Sequence, residues 1–273
     1  MPSLLQVTDA CVRLGSKMFG PFTLGVAAGE RIAILGPSGA GKSTLMKLMA
    51  RELTPAQGHV FLQGRNLRDW RLPALSRLRA VLPQSHDVAF GLPVDLVIAL
   101  GRVALAHDPA LPHIVRQAAG LARADHLLAR RFDTLSGGEK ARVHLARVFA
   151  QLWDVEQGLV MVDEPLAALD PGLQFQLMDA MLHFAAERGH AVIAILHDVN
   201  QALRDFERLL LIEDGALVGD MASDIASLPK LEALYGVRFA SAVGTDGEVI
   251  TAAVRGASCA SAAIKPATTA LAA

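Results

Sequence analysis

The chain has 273 residues, a formal net charge of -1 and 52% hydrophobic residues. This composition excludes an intrinsically disordered chain, and the balance of 26 basic against 27 acidic residues argues against nucleic acid as a partner, because phosphate binding needs a basic excess. Cys11 and Cys259 are the two cysteines, which excludes a disulfide framework and is typical of a reducing compartment. No apolar run reaches the roughly 18 residues of a membrane span and no signal peptide opens the chain, so we expect a cytoplasmic protein that does not cross a membrane by itself.

Short apolar runs separated by glycine and polar turns predict a mixed α/β order along the chain. The run Ile32–Leu35 precedes a glycine-rich loop and a helical pattern with Leu45, Leu48 and Met49 on one face, which predicts strand, loop and helix. Residues 87–158 contain no comparable strand run, and we predict a helical insert there. The other predicted strands are Leu4–Val12, Phe22–Val26, Val60–Leu62, Ala80–Leu82, Leu159–Val162, Ala191–Leu196, Leu209–Ile212 and Ala216–Val218.

The second half of the chain has clearer start and stop signals. Leu159–Val162 and Ala191–Leu196 lack polar alternation, which is typical of parallel strands covered on both faces. Asp170 is the predicted N-cap of the helix between them, and Asp214-Gly215 predicts a hairpin. From Arg255 onward the sequence is Ala, Ser and Thr with little periodicity, so we expect a poorly ordered tail.

The pattern Gly36-x-x-x-x-Gly41-Lys42-Ser43, between a predicted strand and a predicted helix, is typical of a phosphate-binding loop. Glycines allow backbone amides to approach phosphate oxygens, and the helix start adds partial positive charge. We expect Lys42 to reach the terminal phosphates and Ser43 to offer its hydroxyl to magnesium; the alternative is a simple glycine-rich turn. The expected nucleotide-binding residues are Gly36, Pro37, Ser38, Gly39, Ala40, Gly41, Lys42, Ser43 and Thr44.

Two adjacent carboxylates, Asp163 and Glu164, follow the predicted strand Leu159–Val162 at its carboxyl end, where open α/β sheets bind ligands. Because adjacent residues point apart, Asp163 is expected to face magnesium and Glu164 the attacking water. The alternative is a solvated acidic turn closed by Pro165, and the phosphate-binding loop favours catalysis over it.

A second candidate anion site is Leu135-Ser136-Gly137-Gly138-Glu139, at the predicted start of a helix. Ser136 and Glu139 form a capping-box pattern. That pattern does not explain two glycines in the first turn, each unfavourable by about 1 kcal/mol relative to alanine. Exposed amides at a helix start suit a phosphate, so we expect Ser136, Gly137, Gly138 and Glu139 to contact nucleotide.

Taken together, the phosphate-binding loop, Leu135–Glu139, the strand ending at Asp163-Glu164, and His197-Asp198 resemble the ATP-binding subunits of ABC transporters, in order and approximate spacing. The resemblance implies a P-loop NTPase (RecA-like) α/β core with an N-terminal antiparallel β subdomain and an inserted α-helical subdomain. It implies a core over residues 1–86 and 159–240, a helical signature subdomain over 87–158, and a C-terminal extension over 241–273. ATP and Mg2+ are the implied cofactors.

The resemblance also implies roles for further residues. Gln84 matches a glutamine that contacts magnesium and the attacking water and links to the membrane partner, and His197 matches a histidine that contacts the γ-phosphate. Asp170, in Ala168-Leu169-Asp170, matches a segment that crosses to the other subunit, while it is equally explained as an N-cap. One departure is Leu14, which stands where these subunits usually stack adenine on an aromatic residue; Phe19 is an alternative base contact.

The partners implied by the resemblance are a second copy of the chain in a head-to-tail dimer, an integral membrane permease and, indirectly, a periplasmic haem-binding protein. The segment Phe90–Arg102 resembles that of the importers of iron chelates, haem and cobalamin, and Leu145–Asp154 looks most like that of haem-importer ATPases of Gram-negative bacteria. We therefore expect an ATPase that powers haem import, peripheral on the cytoplasmic face of the inner membrane. The alternatives are ferric siderophore or cobalamin import, a soluble ABC-type ATPase in repair or translation, and a nucleotide-dependent binding module without turnover.

Overall fold

A computed structural model describes residues 3–82, 91–163, 169–243 and 249–254. The strands in these segments are β1 (Leu5–Leu14), β2 (Lys17–Val26), β3 (Arg31–Leu35), β4 (Gln57–Leu62), β5 (Arg65–Asn66), β6 (Arg79–Leu82), β7 (Leu159–Asp163), β8 (Ala191–Ile195), β9 (Arg208–Glu213), β10 (Ala216–Ala222), β11 (Arg238–Val243) and β12 (Val249–Val254). The helices are α1 (Lys42–Met49), α2 (Leu72–Ser76), α3 (Val94–Ala99), α4 (Leu111–Leu121), α5 (Gly137–Leu152), α6 (Pro171–Glu187), α7 (Val199–Asp205) and α8 (Leu228–Tyr235).

The central sheet has six strands in the order β10-β9-β3-β8-β7-β6. Strand β3 is parallel to both β8 and β9, and β7 is parallel to both β6 and β8. Every residue of β8 and residues 159–162 of β7 are fully buried, which agrees with the continuous apolar runs in the sequence. Because β3, β7 and β8 run in the same direction, their carboxyl ends lie at the same edge of the sheet.

The N-terminal sheet has the order β2-β1-β4-β5 and is antiparallel. Both of its first strands extend beyond the predicted Leu4–Val12 and Phe22–Val26, because the ladder continues to the pair Leu14 and Lys17. Register shifts occur between Val7 and Ala10 and between Ala10 and Val12. Such irregularities break the strict apolar alternation that a sequence pattern detects, so the outer part of this hairpin was not predicted.

The segment between β6 and β7 is helical in its described part, as predicted, and α3 and α4 pack on α5. Helix α5 buries one long face, including Val143, Ala146, Phe149 and Ala150, and Phe149 packs on Phe184 of α6 with ring centroids 4.5 Å apart. This contact joins the helical segment to the layer of helices that covers the central sheet. Within the described segments, no helix combines the length and apolarity needed to cross a bilayer.

The last described elements are α8 and the antiparallel hairpin of β11 and β12. Leu231 of α8 is fully buried in the core, and Gly236 ends the helix in a left-handed conformation with φ 65°. The hairpin was not predicted, because both strands are rich in small residues, which leave no clear apolar alternation. The expected poorly ordered tail from Arg255 lies outside the described residues.

Candidate functional site

The phosphate-binding loop connects the end of β3 to the start of α1, as predicted. Gly36 has φ 156°, and a Cβ at this position would collide with the carbonyl oxygen of Ile212. Gly41 has φ 107° and caps α1 without a side-chain hydrogen bond, and its Cβ would lie 2.8 Å from the ring of Phe19. Glycine is therefore required at both ends of the loop, by backbone conformation and by space.

Lys42 lies in the first turn of α1 and is buried, with 5% of its surface exposed. Its Nζ donates hydrogen bonds to the carbonyl oxygens of Gly36, at 2.7 Å, and Pro37, at 3.0 Å. The ammonium group therefore lies inside the curve of the loop, where the backbone also turns toward the helix start. Positive charge and backbone amides together make this concavity suited to an anion.

A cavity of about 260 Å³ opens beside the loop. Its wall includes Phe19 and His197 together with residues 38–44. His197 follows β8 by two residues and is exposed, so the predicted strand-end position is confirmed. Leu14 is 40% exposed and is not among the lining residues, whereas the ring of Phe19 is.

The structure brings the predicted magnesium-binding side chains Ser43 and Asp163 together, with Ser43 Oγ donating to Asp163 Oδ1 at 3.3 Å. Asp163 is the last residue of β7, whereas Ser43 is in the first turn of α1. A hydroxyl and a carboxylate are hard oxygen donors, and nucleotide-bound Mg2+ commonly takes one or two such protein ligands. The pair therefore fits the expected ion. The predicted residues Gln84, Glu164 and Ala168 lie outside the described residues.

The second candidate anion segment lies at the start of α5 and forms the predicted capping box. Glu139 N donates to Ser136 Oγ at 3.4 Å, and Ser136 N donates to Glu139 Oε2 at 2.7 Å. The hydrogen bonds with Ser136 lower the pKa of Glu139, and the one from the Ser136 backbone N–H has the largest effect. Arg130 lies 2.7 Å from Glu139 Oε1 and lowers this pKa as well. Ser136 and Gly137 are exposed.

Asp170 is also the predicted N-cap, because its Oδ1 accepts from the backbone N–H of Leu173 at 3.0 Å at the start of α6. Neither Asp170 nor residues 136–139 line the cavity beside the phosphate-binding loop. Within one chain, the two candidate anion sites are thus separate.

Two contacts near the loop were missed by sequence reasoning. The N–H of Gly36 donates to the hydroxyl of Tyr235 at 3.1 Å, and the N–H of Gly215 donates to the carbonyl of Ala40 at 2.8 Å. Burial raises the pKa of the Tyr235 hydroxyl. Gly36 and Tyr235 are 199 positions apart, so no local sequence pattern indicates their contact. The one available signal was that Tyr235 is the single tyrosine of the chain.

The family model described as ABC transporter matches residues 19–167. A hemin import ATP-binding protein HmuV of Pseudomonas aeruginosa is 43% identical over 241 residues, which cover 86% of this chain and 93% of that relative. This chain belongs to the ABC transporter family. A protein of the same name from Nocardia farcinica is 44% identical over 201 residues, covering 71% of this chain and 67% of that protein.

Solved structures show that this ABC protein has the P-loop NTPase fold of the family's ATP-binding cassette. An ABC transporter in an inward-facing conformation superposes with a TM-score of 0.76 at 22% identity, covering 93% of this chain and 97% of that chain. A dimeric ATP-binding cassette in a post-hydrolysis state, bound to ADP and Pi, superposes with a TM-score of 0.71 at 20% identity, covering 80% and 98%. The predicted fold class is confirmed.

Proposed function

We propose that this ABC protein is the ATP-hydrolysing subunit that powers haem import across the inner membrane. The observation that carries the proposal is the 43% identity to a hemin import ATP-binding protein over 86% of the chain. Further relatives that share this name include one from Pseudomonas putida, 40% identical over 246 residues. Ferric siderophore import, cobalamin import and a soluble role in repair or translation have no comparable support.

In the proposed mechanism, the loop Gly36–Thr44 holds the phosphates of ATP, and Lys42 places its charge against the terminal phosphates. The buried position of Lys42 and its two backbone contacts support this role, since they hold the side chain at the loop. Ser43 and Asp163 would hold Mg2+, which when bound neutralises charge on the phosphate oxygens. His197, on the cavity wall, would contact the γ-phosphate.

We assign Glu164 the role of orienting the attacking water, and Gln84 the role of contacting magnesium and water while linking the site to the membrane subunit. The support for Glu164 is its position directly after Asp163, whose carboxylate accepts a hydrogen bond from the Ser43 hydroxyl. Adjacent residues at a strand end face opposite ways, so the two carboxylates can perform different tasks.

The proposed active form contains two copies arranged head to tail, with each ATP between the loop of one copy and Ser136, Gly137, Gly138 and Glu139 of the other. Asp170 would lie at the same interface. The exposure of Ser136 and Gly137, outside the cavity of their own chain, supports this arrangement. Such an interface is isologous and closes on itself. In this scheme residues 1–86 and 159–240 form the core, 87–158 the signature unit and 241–273 an extension.

A membrane permease is the second proposed partner. Three apolar side chains at α3 and just after it are exposed: Leu96 by 45%, Leu100 by 41% and Val103 by 77%. Exposed apolar side chains that lie close together in the chain suit a partner surface, so we propose that a permease segment binds there. We place the chain at the cytoplasmic face of the inner membrane, with a periplasmic haem-binding protein as an indirect partner.

Reconstitution with the cognate permease in liposomes tests the function. Haem presented with its binding protein should raise the ATPase rate severalfold, because cargo delivery favours the closed dimer. A siderophore-loaded binding protein is the control. Stimulation by the siderophore complex and not by haem would overturn the cargo, whereas absence of ATPase activity in the complex would overturn the proposed function itself.

Glu164→Gln tests the mechanism. It should bind ATP with near-wild-type affinity but lower kcat by at least about 100-fold, since water is no longer oriented, and it should accumulate as dimers in size-exclusion chromatography with ATP. Glu156→Gln, at an exposed position, is the matched control and should hydrolyse ATP normally. Near-wild-type turnover by Glu164→Gln would remove Glu164 from this role.

A further inference from the structure

The C-terminal elements α8, β11 and β12 contact both segments that border the nucleotide cavity. For the described residues 228–243 and 249–254 we use the name C-terminal unit. It is anchored by the buried Leu231 of α8, and its internal geometry is fixed where Phe239 N donates to Glu232 Oε1 at 2.6 Å. Leu231 therefore attaches the unit to the core, and the hydrogen bond between Phe239 and Glu232 joins β11 to α8 within the unit.

The first contact reaches the phosphate-binding loop through Gly36. The N–H of Gly36 donates to the Tyr235 hydroxyl at 3.1 Å, while the carbonyl of the same glycine accepts from Lys42 Nζ at 2.7 Å. Gly36 also packs against the backbone of Ile212 with no room for a Cβ. Tyr235 thus holds the N–H of Gly36, and the carbonyl of the same residue orients Lys42.

The second contact reaches the segment that carries His197. Asn200 and Thr251 form three hydrogen bonds: Asn200 Nδ2 donates to Thr251 O at 3.0 Å, and Asn200 Oδ1 accepts from Thr251 N at 2.6 Å and from Thr251 Oγ1 at 2.9 Å. Asn200 is the second residue of α7, and its own N–H donates to the N-cap Asp198 at 2.8 Å. His197 directly precedes that cap.

His197 lies between two cavities. One is the 260 Å³ cavity beside the phosphate-binding loop, and the other, of about 410 Å³, is walled by His197 and Asn200 together with Tyr235, Phe239 and Thr251 of the C-terminal unit. A shift of the unit would therefore alter the space on the far side of His197. Neither Tyr235 nor Asn200 lines the nucleotide cavity.

We propose that the C-terminal unit sets the geometry of ATP hydrolysis through two positioning residues, with Tyr235 acting on Gly36 and Lys42, and Asn200 acting on His197. This inference rests on the proposed ATPase function. The two residues act on different parts of the site. Loss of the Tyr235 hydroxyl loosens the loop that binds phosphate, whereas loss of the Asn200 side chain frees the segment that presents His197 to the γ-phosphate.

Steady-state ATPase kinetics of Tyr235→Phe and Asn200→Ala test the proposal. Tyr235→Phe should raise the KM for ATP, and Asn200→Ala should lower kcat with KM nearly unchanged, each by about two- to tenfold, the size expected when hydrogen bonds are lost. A purely structural role would instead lower the active fraction of both variants alike, in parallel with their unfolding temperatures. Ser241→Ala, at the exposed position paired with Thr251, is the matched control and should behave as wild type.

Both variants should fold, because phenylalanine keeps the ring of Tyr235 and alanine favours a helix more than asparagine does. Thr251→Val is a second variant, which removes one of the three hydrogen bonds and should lower kcat less than Asn200→Ala. A wild-type KM for Tyr235→Phe together with a wild-type kcat for Asn200→Ala would overturn this proposal alone. A wild-type chain that hydrolyses no ATP with its permease would overturn the proposed function as well.

Discussion

The two glycine-containing anion segments of this protein differ in how the single chain supports them. The loop Gly36–Thr44 is held from several sides, since Gly36 and Lys42 are buried and Gly215 donates to the carbonyl of Ala40. The start of α5 is exposed at Ser136 and Gly137, and its side-chain hydrogen bonds are those of its own capping box and one from nearby Arg130 to Glu139. One segment is complete within the fold, and the other faces outward.

The difference shows where the requirement for glycine originates. A Cβ on Gly36 would collide with Ile212 of the same chain, so the fold itself demands glycine there. A Cβ on Gly137 would meet nothing within 4 Å, and its helical conformation suits alanine better. No intramolecular contact among the described residues explains Gly137, which favours a ligand presented by a second copy.

Gly36→Ala should have the largest effect on this comparison. The collision with Ile212 and the φ of 156° should lower the free energy of unfolding by about 3 kcal/mol or more and weaken ATP binding by at least about 100-fold. Thermal unfolding and equilibrium ATP binding measure the two effects. Gly64→Ala is the control, with φ 73° but open space around the Cβ, and should cost about 1–2 kcal/mol without changing ATP affinity. Wild-type affinity in Gly36→Ala would contradict the account of the loop.

Gly137→Ala should separate stability from activity. It should raise the free energy of unfolding by about 0.5–1 kcal/mol, as expected for Gly→Ala in a helix. It should also lower kcat by at least about tenfold, because the Cβ keeps the backbone amides away from a phosphate. Denaturant titration and ATPase assays on the same preparation check both signs.

The matched control for Gly137→Ala is Gly120→Ala in α4, where a Cβ also meets nothing within 4 Å. It should be stabilised by a similar amount and retain full ATPase activity. If Gly137→Ala were equally active, residues 136–139 would be a helix cap without a nucleotide contact.

Local patterns predicted the parts of the fold that local forces decide. The continuous apolar runs identified β7 and β8, and the capping residues Ser136 and Asp170 identified the starts of α5 and α6. The proximity of Ser43 to Asp163 also followed, because parallel strands end at one edge of the sheet. The roles of Gln84 and Glu164 and the division into subdomains stay predictions.

The unpredicted parts depend on distant partners. The outer part of the β1–β2 hairpin is held by cross-strand pairing that bulges interrupt. The contacts of Tyr235 with Gly36 and of Asn200 with Thr251 join residues 199 and 51 positions apart. Such pairs leave no periodicity in the sequence, so the support that the C-terminal unit gives to the site could be found only in three dimensions.

The smallest predicted effect is a difference between the two segments at acid pH. Residues 36–44 contain no carboxylate, whereas the capping box at the start of α5 includes the carboxylate of Glu139. The pKa of Glu139 is lowered below its ordinary 4.5 in the folded chain, so its contribution to stability is present above about pH 4.5 and is lost as the pH falls through the lowered value. Glu139→Gln keeps an acceptor for Ser136 but loses the charge facing Arg130, which should cost about 0.2–1 kcal/mol at neutral pH. The difference in unfolding free energy between wild type and Glu139→Gln should therefore shrink when the pH is lowered from 6 to about 3. A constant difference across that range would mean that the Ser136 cap does not depend on the charge of Glu139, and the contrast between the two segments would then rest on exposure alone.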